Sequence, residues 1–293
     1  MADTTLTEVA NQIQEFWNPV FAEELRLKQI FPALIDASDR IQPGSIIRQG
    51  NKVRVSQVNE TTGVNQAASV CTYVSEALST AHVDVTIDQR AYSSLTFCDT
   101  VELQSQINLN RPDVREAMQR GMMNQINTQC YTVLAGATPL NDDTGIATID
   151  AQKLTEAAQL ADEAGWPEDD RWLLVDPLYK KQLLDDATLT SADFGATDRP
   201  VIGGQMVLER YGWKIIMDNS AAFKAQLNAA GAGVALGFTR NFMHYVPQVD
   251  TRFKASDAHP NNEFTVKATV DTIYGVAMGN EGGNRHLLIR TGV

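Results

Sequence analysis

The sequence has 293 residues, 43% of them hydrophobic and 20% charged, an ordinary balance for a folded chain of one to three domains. Its formal net charge of -12 opposes long-range attraction to nucleic acid, which needs clustered Lys and Arg. No apolar run reaches membrane-span length, and the polar start MADTTLTEV predicts cytosolic synthesis without an export signal. The three cysteines, Cys71, Cys98 and Cys130, form no CxxC pair and are expected to be small buried apolar residues instead of disulfides or zinc ligands.

In chain order, residues 1–40 read as an arm with helical pieces at 6–16 and 19–31, where Leu25, Leu27, Ile30 and Phe31 would anchor it on a neighbouring surface. Residues 39–50 are rich in turn formers. The period then changes to two. Residues 52–56 (KVRVS) and 82–88 (HVDVTID) alternate as half-exposed strands, separated by a polar, weakly periodic stretch. The polar face of the first strand is basic (Lys52, Arg54) and that of the second acidic (Asp84, Asp88), which favours antiparallel pairing. Such a hairpin cannot bury its Val/Ile face against itself, so cover from another subunit is expected.

Residues 92–109 read as a link into one long amphipathic helix over 110–136. Its apolar stripe is Val114, Met118, Met122, Ile126, Cys130, Val133 and Leu134, spaced mostly by four. Pro112 and Asp113 suit a first turn, and Gly136 suits a left-handed stop. Arg115, Gln119, Asn124 and Thr128 fall on the opposite, exposed face. After a turn-rich loop at 139–145, Asp150 caps a second helix over 151–164, ended by Gly165 and Pro167. The run Trp172-Leu173-Leu174-Val175 suits a buried strand, and Asp176-Pro177 starts another helix. Residues 188–204 read as a loop, 206–217 as two strand pieces around Tyr211-Gly212, 221–233 as an Ala/Gly-rich surface loop, and 234–246 as strand. The last clear element is a long alternating strand over 264–278 (FTVKATVDTIYGVAM).

No constellation of acid, base and nucleophile emerges. His82, His244, His259 and His286 are isolated from one another, and no HExxH or GxSxG motif is present. The run 231–237 (GAGVALG) resembles a dinucleotide loop, but its third Gly comes one place late and a strand follows where a helix is required. The pairs Asp142-Asp143, Asp169-Asp170 and Asp185-Asp186 are the only candidates for a hard cation, without EF-hand spacing around them.

The order of elements, with the stretches 172–184 (WLLVDPLYKKQLL), 202–218 (IGGQMVLERYGWKIIMD) and 237–246 (GFTRNFMHYV), resembles the major capsid protein of tailed bacteriophages, with the Hong Kong phage-type fold. The resemblance implies an α+β chain: an N-terminal arm and lead-in (1–45), an extended two-stranded loop (46–97), a peripheral domain (98–165) with a spine helix (111–135), an axial domain (166–240), and a return to the peripheral domain (241–293) with the long strand beside the spine. It implies a structural subunit, without catalytic residues, cofactor, metal or membrane. Hexamers and pentamers of the chain would enclose double-stranded DNA without sequence-specific binding, in a virion assembled in the bacterial host cytoplasm. Lys52, Arg54, Asp84 and Asp88 would then be assembly residues on the loop stem, and the stripe from Val114 to Val133 the packing face of the spine.

Implied partners are a portal, a decoration protein and a scaffolding protein, the last expected to be separate, or else unnecessary, because the arm starts almost at Met1. Some relatives join subunits by Lys–Asn links; Lys52 lies on the stem and not at the loop tip, so no crosslink is expected. Two alternatives are a nanocompartment shell of the same fold and a soluble α/β enzyme with a metal at an Asp pair.

Overall fold

The computed structural model describes residues 30–36, 51–58, 65, 75, 77–98, 112–186, 189, 208–228, 233–256, 265–279 and 282–292. The expected helix at 6–16, most of that at 19–31, the turn-rich 39–50, most of the loop tip and residues 190–204 lie outside the described residues.

Helix α2 (Pro112–Ala135) is the longest helix described. Its 24 residues span about 36 Å at 1.5 Å each. Met118, Met122, Ile126, Cys130 and Leu134 are fully buried, and Val114 and Val133 are partly buried against the same core. The stripe is broader than its apolar residues, because Gln119, Asn127 and Tyr131 are buried too. Gln119, expected on the exposed face, precedes Met122 by three residues and Ile126 by seven and so shares their buried side of the helix. Gly136 does not stop the helix in the left-handed region. Its N–H makes an ordinary bond to the Thr132 carbonyl (3.3 Å), while among the described residues the left-handed glycines are Gly145, Gly165 and Gly212.

The helix lies on a three-stranded antiparallel sheet of β3 (Gln89–Cys98), β10 (Thr265–Met278) and β9 (Met243–Ser256), in the order β3-β10-β9. Strand β3 takes residues 92–98 of the expected link over 92–109, and the remainder lies outside the described residues. Two of its inner positions, Ala91 and Ser93, are small where the helix passes close, since a Cβ on Gly121 would lie 3.4 Å from Ser93 Oγ, while Leu95 packs on the same core. Small and hydroxylated residues mute the alternation that marks a strand in sequence.

A two-stranded ribbon, β1 (Lys52–Val58) and β2 (Thr80–Thr86), pairs antiparallel with Val53 opposite Val85. Cover from another subunit is not what its apolar face finds. Val53, Val55, Val85 and Ile87 pack on Val246, Ile273 and Ala277 of β9 and β10 in the same chain. Gly275 makes this docking possible, since a Cβ there would meet the Thr86 carbonyl oxygen at 2.5 Å. The cover comes from strands almost two hundred residues downstream, which no local pattern reveals.

A six-stranded mixed sheet runs β4-β11-β8-β5-β7-β6, built from β4 (Asp142–Thr144), β5 (Arg171–Val175), β6 (Leu208–Arg210), β7 (Trp213–Met217), β8 (Val234–Thr239) and β11 (His286–Arg290). Its central strands are covered on both faces. Leu174, Leu236 and Leu288 join the core of α2, whereas Leu173, Val175, Ala235, Leu287 and Ile289 face a second core with Trp213. That double cover is why 172–175 is continuously apolar instead of alternating. The second core is closed by α3 (Ala151–Glu163), through Leu154, Ala157 and Ala161, and by α4 (Pro177–Asp185), through Tyr179 and Leu183. Asp150 and Asp176 cap these helices by accepting from Lys153 N and Tyr179 N, both at 2.9 Å. The expected boundaries at 165 and 240 cut across this sheet, which takes β4 from before the first and β11 from after the second.

Two further expectations change. Residues 221–227 form helix α5 (Ala221–Leu227) and not a surface loop. Ser220 caps it, and Phe223 and Leu227, four apart, are buried. Phe31 and Ile35, on and just after the short α1 (Ile30–Leu34), are buried in the chain's own core and not on another surface. The Phe31 ring stacks on Tyr131 at 4.6 Å and meets Phe238 edge-on at 5.8 Å.

Candidate functional site

The ribbon carries the first set of candidate residues. Its register puts Arg54 opposite Asp84, and they form a two-pronged pair, Nε to Oδ1 at 2.8 Å and Nη2 to Oδ2 at 3.2 Å. The Arg54 hydrogen bond holds the Asp84 carboxyl below the usual carboxylate range. The other two residues are not brought together. Lys52 stands opposite Thr86, and Asp88 lies beyond the strand, where it accepts a bond from Gln89 Nε2 at 2.9 Å. A strand reading gives the face on which a charge lies; only the register gives its partner.

A second charged site has no counterpart among the sequence motifs. On the side of the three-stranded sheet turned away from α2, Asp271 of β10 is buried between an arginine from each flanking strand. Arg252 bonds it through Nε (2.6 Å) and Nη2 (2.8 Å), and Arg90 through Nε (2.8 Å) and Nη2. Burial raises the Asp271 carboxyl pKa, but the hydrogen bonds and charges of Arg252 and Arg90 outweigh it, and the net shift is downward. The carboxylate therefore ties three strands together as an anion. Around it lies an open groove of about 720 Å³, also lined by Tyr92, Ser94, Lys254, Lys267 and Thr269. Asp271 shares its polar parity with Lys267 and Thr269, which is a visible signal, but its partners lie 181 and 19 residues away.

Five of the six aspartates proposed for a cation have side-chain partners. Arg290 Nε bonds Asp142 at 2.8 Å, and Lys153 Nζ bonds Asp143 at 3.2 Å. Trp172 Nε1 bonds Asp170 at 3.1 Å, Lys181 Nζ bonds Asp185 at 2.5 Å, and the Ala151 N–H bonds Asp186 at 2.9 Å. Among the described residues no three His, Cys, Asp or Glu side chains gather as metal ligands would. Residues 234–237 of the glycine run belong to the wholly buried strand β8 (Val234–Thr239), and a Cβ on Gly237 would crowd Leu287 at 2.9 Å. Cys130 is fully buried, which pushes its thiol far above the usual range and leaves it a packing residue. Tyr131 donates a buried hydrogen bond to Asp218 and so fastens α2 to the end of β7.

No protein-family model matches the sequence, and no curated protein matches it. Solved structures do. One from Mycobacterium phage Che8 has a TM-score of 0.67 at 18% identity, over 91% of this chain and 93% of that one. The capsid of cyanophage P-SCSP1u gives 0.63 at 16% identity, over 83% and 84%. A virus-like particle from Pyrococcus furiosus gives 0.59 at 10% identity, over 95% and 99%. The chain has the α+β Hong Kong phage-type capsid fold that the order of its elements led us to expect.

Proposed function

We propose that this chain is the major capsid protein of a tailed bacteriophage, a structural subunit whose hexamers and pentamers close an icosahedral head around double-stranded DNA. The observation that carries this reading is the likeness to capsid structures over nearly the whole of both chains, as with the 91% and 93% coverage of the Che8 structure. In this role the chain works in the virion after assembly in the bacterial cytoplasm, with a portal, a scaffolding protein and a decoration protein as partners. The axial unit is the six-stranded sheet with α3 and α4. The peripheral unit is α2 on β3-β10-β9, and the β1-β2 ribbon belongs to the extended loop, whose expected end at 97 recedes because residues 89–97 are strand β3 of that sheet.

The ribbon's apolar face is occupied within the chain, so its polar face, with Lys52, Arg54 and Asp84, is what it offers to a neighbour. Shell contacts are individually modest and add through multivalency. Lys52→Glu with Arg54→Glu is therefore expected to shift sedimentation from megadalton particles to free subunits or capsomers. The melting temperature should barely move, because exposed pairs contribute little to folding. Adding Asp84→Arg to Arg54→Glu should restore particles. Unchanged particle yield in the double reversal would remove the stem from the assembly contact.

A second reading is supported by the Pyrococcus furiosus likeness, which spans 95% of this chain and 99% of that one: a shell around cargo other than a genome. The contents of purified particles separate the two, nuclease-protected DNA for the first and cargo protein for the second.

A further inference from the structure

The hairpin between β6 and β7 carries a residue that its turn does not favour. Arg210 pairs with Trp213, so Tyr211 and Gly212 alone make the turn. Both have positive φ, 50° and 76°. Two-residue turns of this kind favour Asn-Gly, because a short polar side chain, or none, tolerates the left-handed region. Gly212 conforms. Tyr211 is bulky, and it is the one non-glycine residue with positive φ among the described residues. Nothing among those residues offsets the strain. The Tyr211 side chain is 45% exposed, its ring meets no other ring, and its hydroxyl makes no hydrogen bond to them.

Beside the turn lies an open pocket of about 290 Å³, lined by Gly212, Trp213 and Lys214 of the hairpin and by Glu168 and Asp169. Tyr211 does not line it. Lys214 is held in place, since its Nζ donates to the Asp169 carbonyl at 2.6 Å and sits 5.2 Å from the Trp172 ring centre. The Glu168 and Asp169 carboxylates are exposed and have no partner among the described residues. The pocket thus offers two acceptors beside Trp213, and Tyr211 offers a ring with a donor at its tip. A ring that is apolar on its faces and polar at one end is the kind that protein interfaces bury.

We propose that Tyr211 of one copy seats in this pocket on the next copy around a capsomer, its hydroxyl donating to the carboxylates of Glu168 and Asp169. Ring and pocket are different patches of one surface, so the contact is head-to-tail and makes a ring where its rotation closes. Both patches belong to the six-stranded sheet and the turn before β5, and the inference rests on the shell reading for the ring of copies. The strained turn is then a cost carried by the free subunit to hold the side chain out towards its neighbour.

Tyr211→Asn separates the two effects in the full-length chain. It keeps the turn and relieves the strain, so the melting temperature of the unassembled subunit should rise by about 2–4 °C. The protein concentration at which particles form should rise about tenfold, the loss expected for a tyrosine anchor. A residue that served only its own chain's fold would lower the melting temperature. In a second measurement, Tyr211→Cys and Glu168→Cys subunits are mixed, assembled at high concentration and mildly oxidised. Non-reducing electrophoresis should show linked dimers in the mixture and none in either variant alone. The contact is overturned by a lowered melting temperature in Tyr211→Asn, by an unchanged assembly concentration, by a mixture without links, or by links within Tyr211→Cys alone, which would mean that the rings meet each other. Absence of particles from the unmodified chain overturns the shell reading together with this contact, whereas normal particles with any of those four results overturn the contact alone.

Discussion

Phe31→Ala should lower the unfolding free energy by about 3–5 kcal/mol, the cost of deleting a large aromatic side chain from a packed core. Phe31 is only 1% exposed, and its ring is stacked on Tyr131 and edge-on to Phe238, joining α1, α2 and β8. Alanine leaves a void among rings fixed by three separate elements, which limits how far the site can collapse. Urea denaturation at two protein concentrations measures the loss. Because Phe31 serves its own chain's core, the loss should be independent of concentration and equal in subunits and assembled material. Phe31→Leu should recover much of it by restoring volume. A loss confined to assembled protein would instead mean that this segment is held by a neighbour.

Gly275→Val should cost about 1–3 kcal/mol and detach the ribbon, although valine suits a strand better than glycine. The direction follows from what the new Cβ would meet: the Thr86 carbonyl oxygen at 2.5 Å and its carbon at 3.0 Å. These are backbone atoms of β2 and cannot turn aside as a flexible side chain would. Relief requires the ribbon to lift from β10, exposing Val53, Val55, Val85 and Ile87. Proteolysis within the ribbon should quicken while both main cores stay protected, and particle yield should fall. A stable variant with the ribbon still protected would show that it does not dock at Gly275.

Elements with a strong local signature were legible from sequence. The stripe of α2, the alternation in β1, β2 and β10, the run of β5 and the Asp caps of α3 and α4 each depend on neighbours within a turn or two. What stayed hidden depends on distant partners. Strand β3 is disguised by small residues that its packing against α2 demands. Helix α5 is disguised by an Ala/Gly-rich composition, although Ser220 and the Phe223/Leu227 spacing were present as signals. Of the four stem charges, only Arg54 and Asp84 share a register position; Lys52 stands opposite Thr86, and Asp88 lies beyond β2. The Asp271 site needs three strands in register before its arginines meet, so no motif announces it.

The central claim is that this fold makes a closed shell, and a single measurement tests it most directly: electron microscopy of the purified full-length protein after assembly. The account predicts closed icosahedral particles whose reconstruction resolves hexamers and pentamers of this chain. A uniform population of monomers or small oligomers under every assembly condition, including with the partner proteins of its own genome, would contradict it.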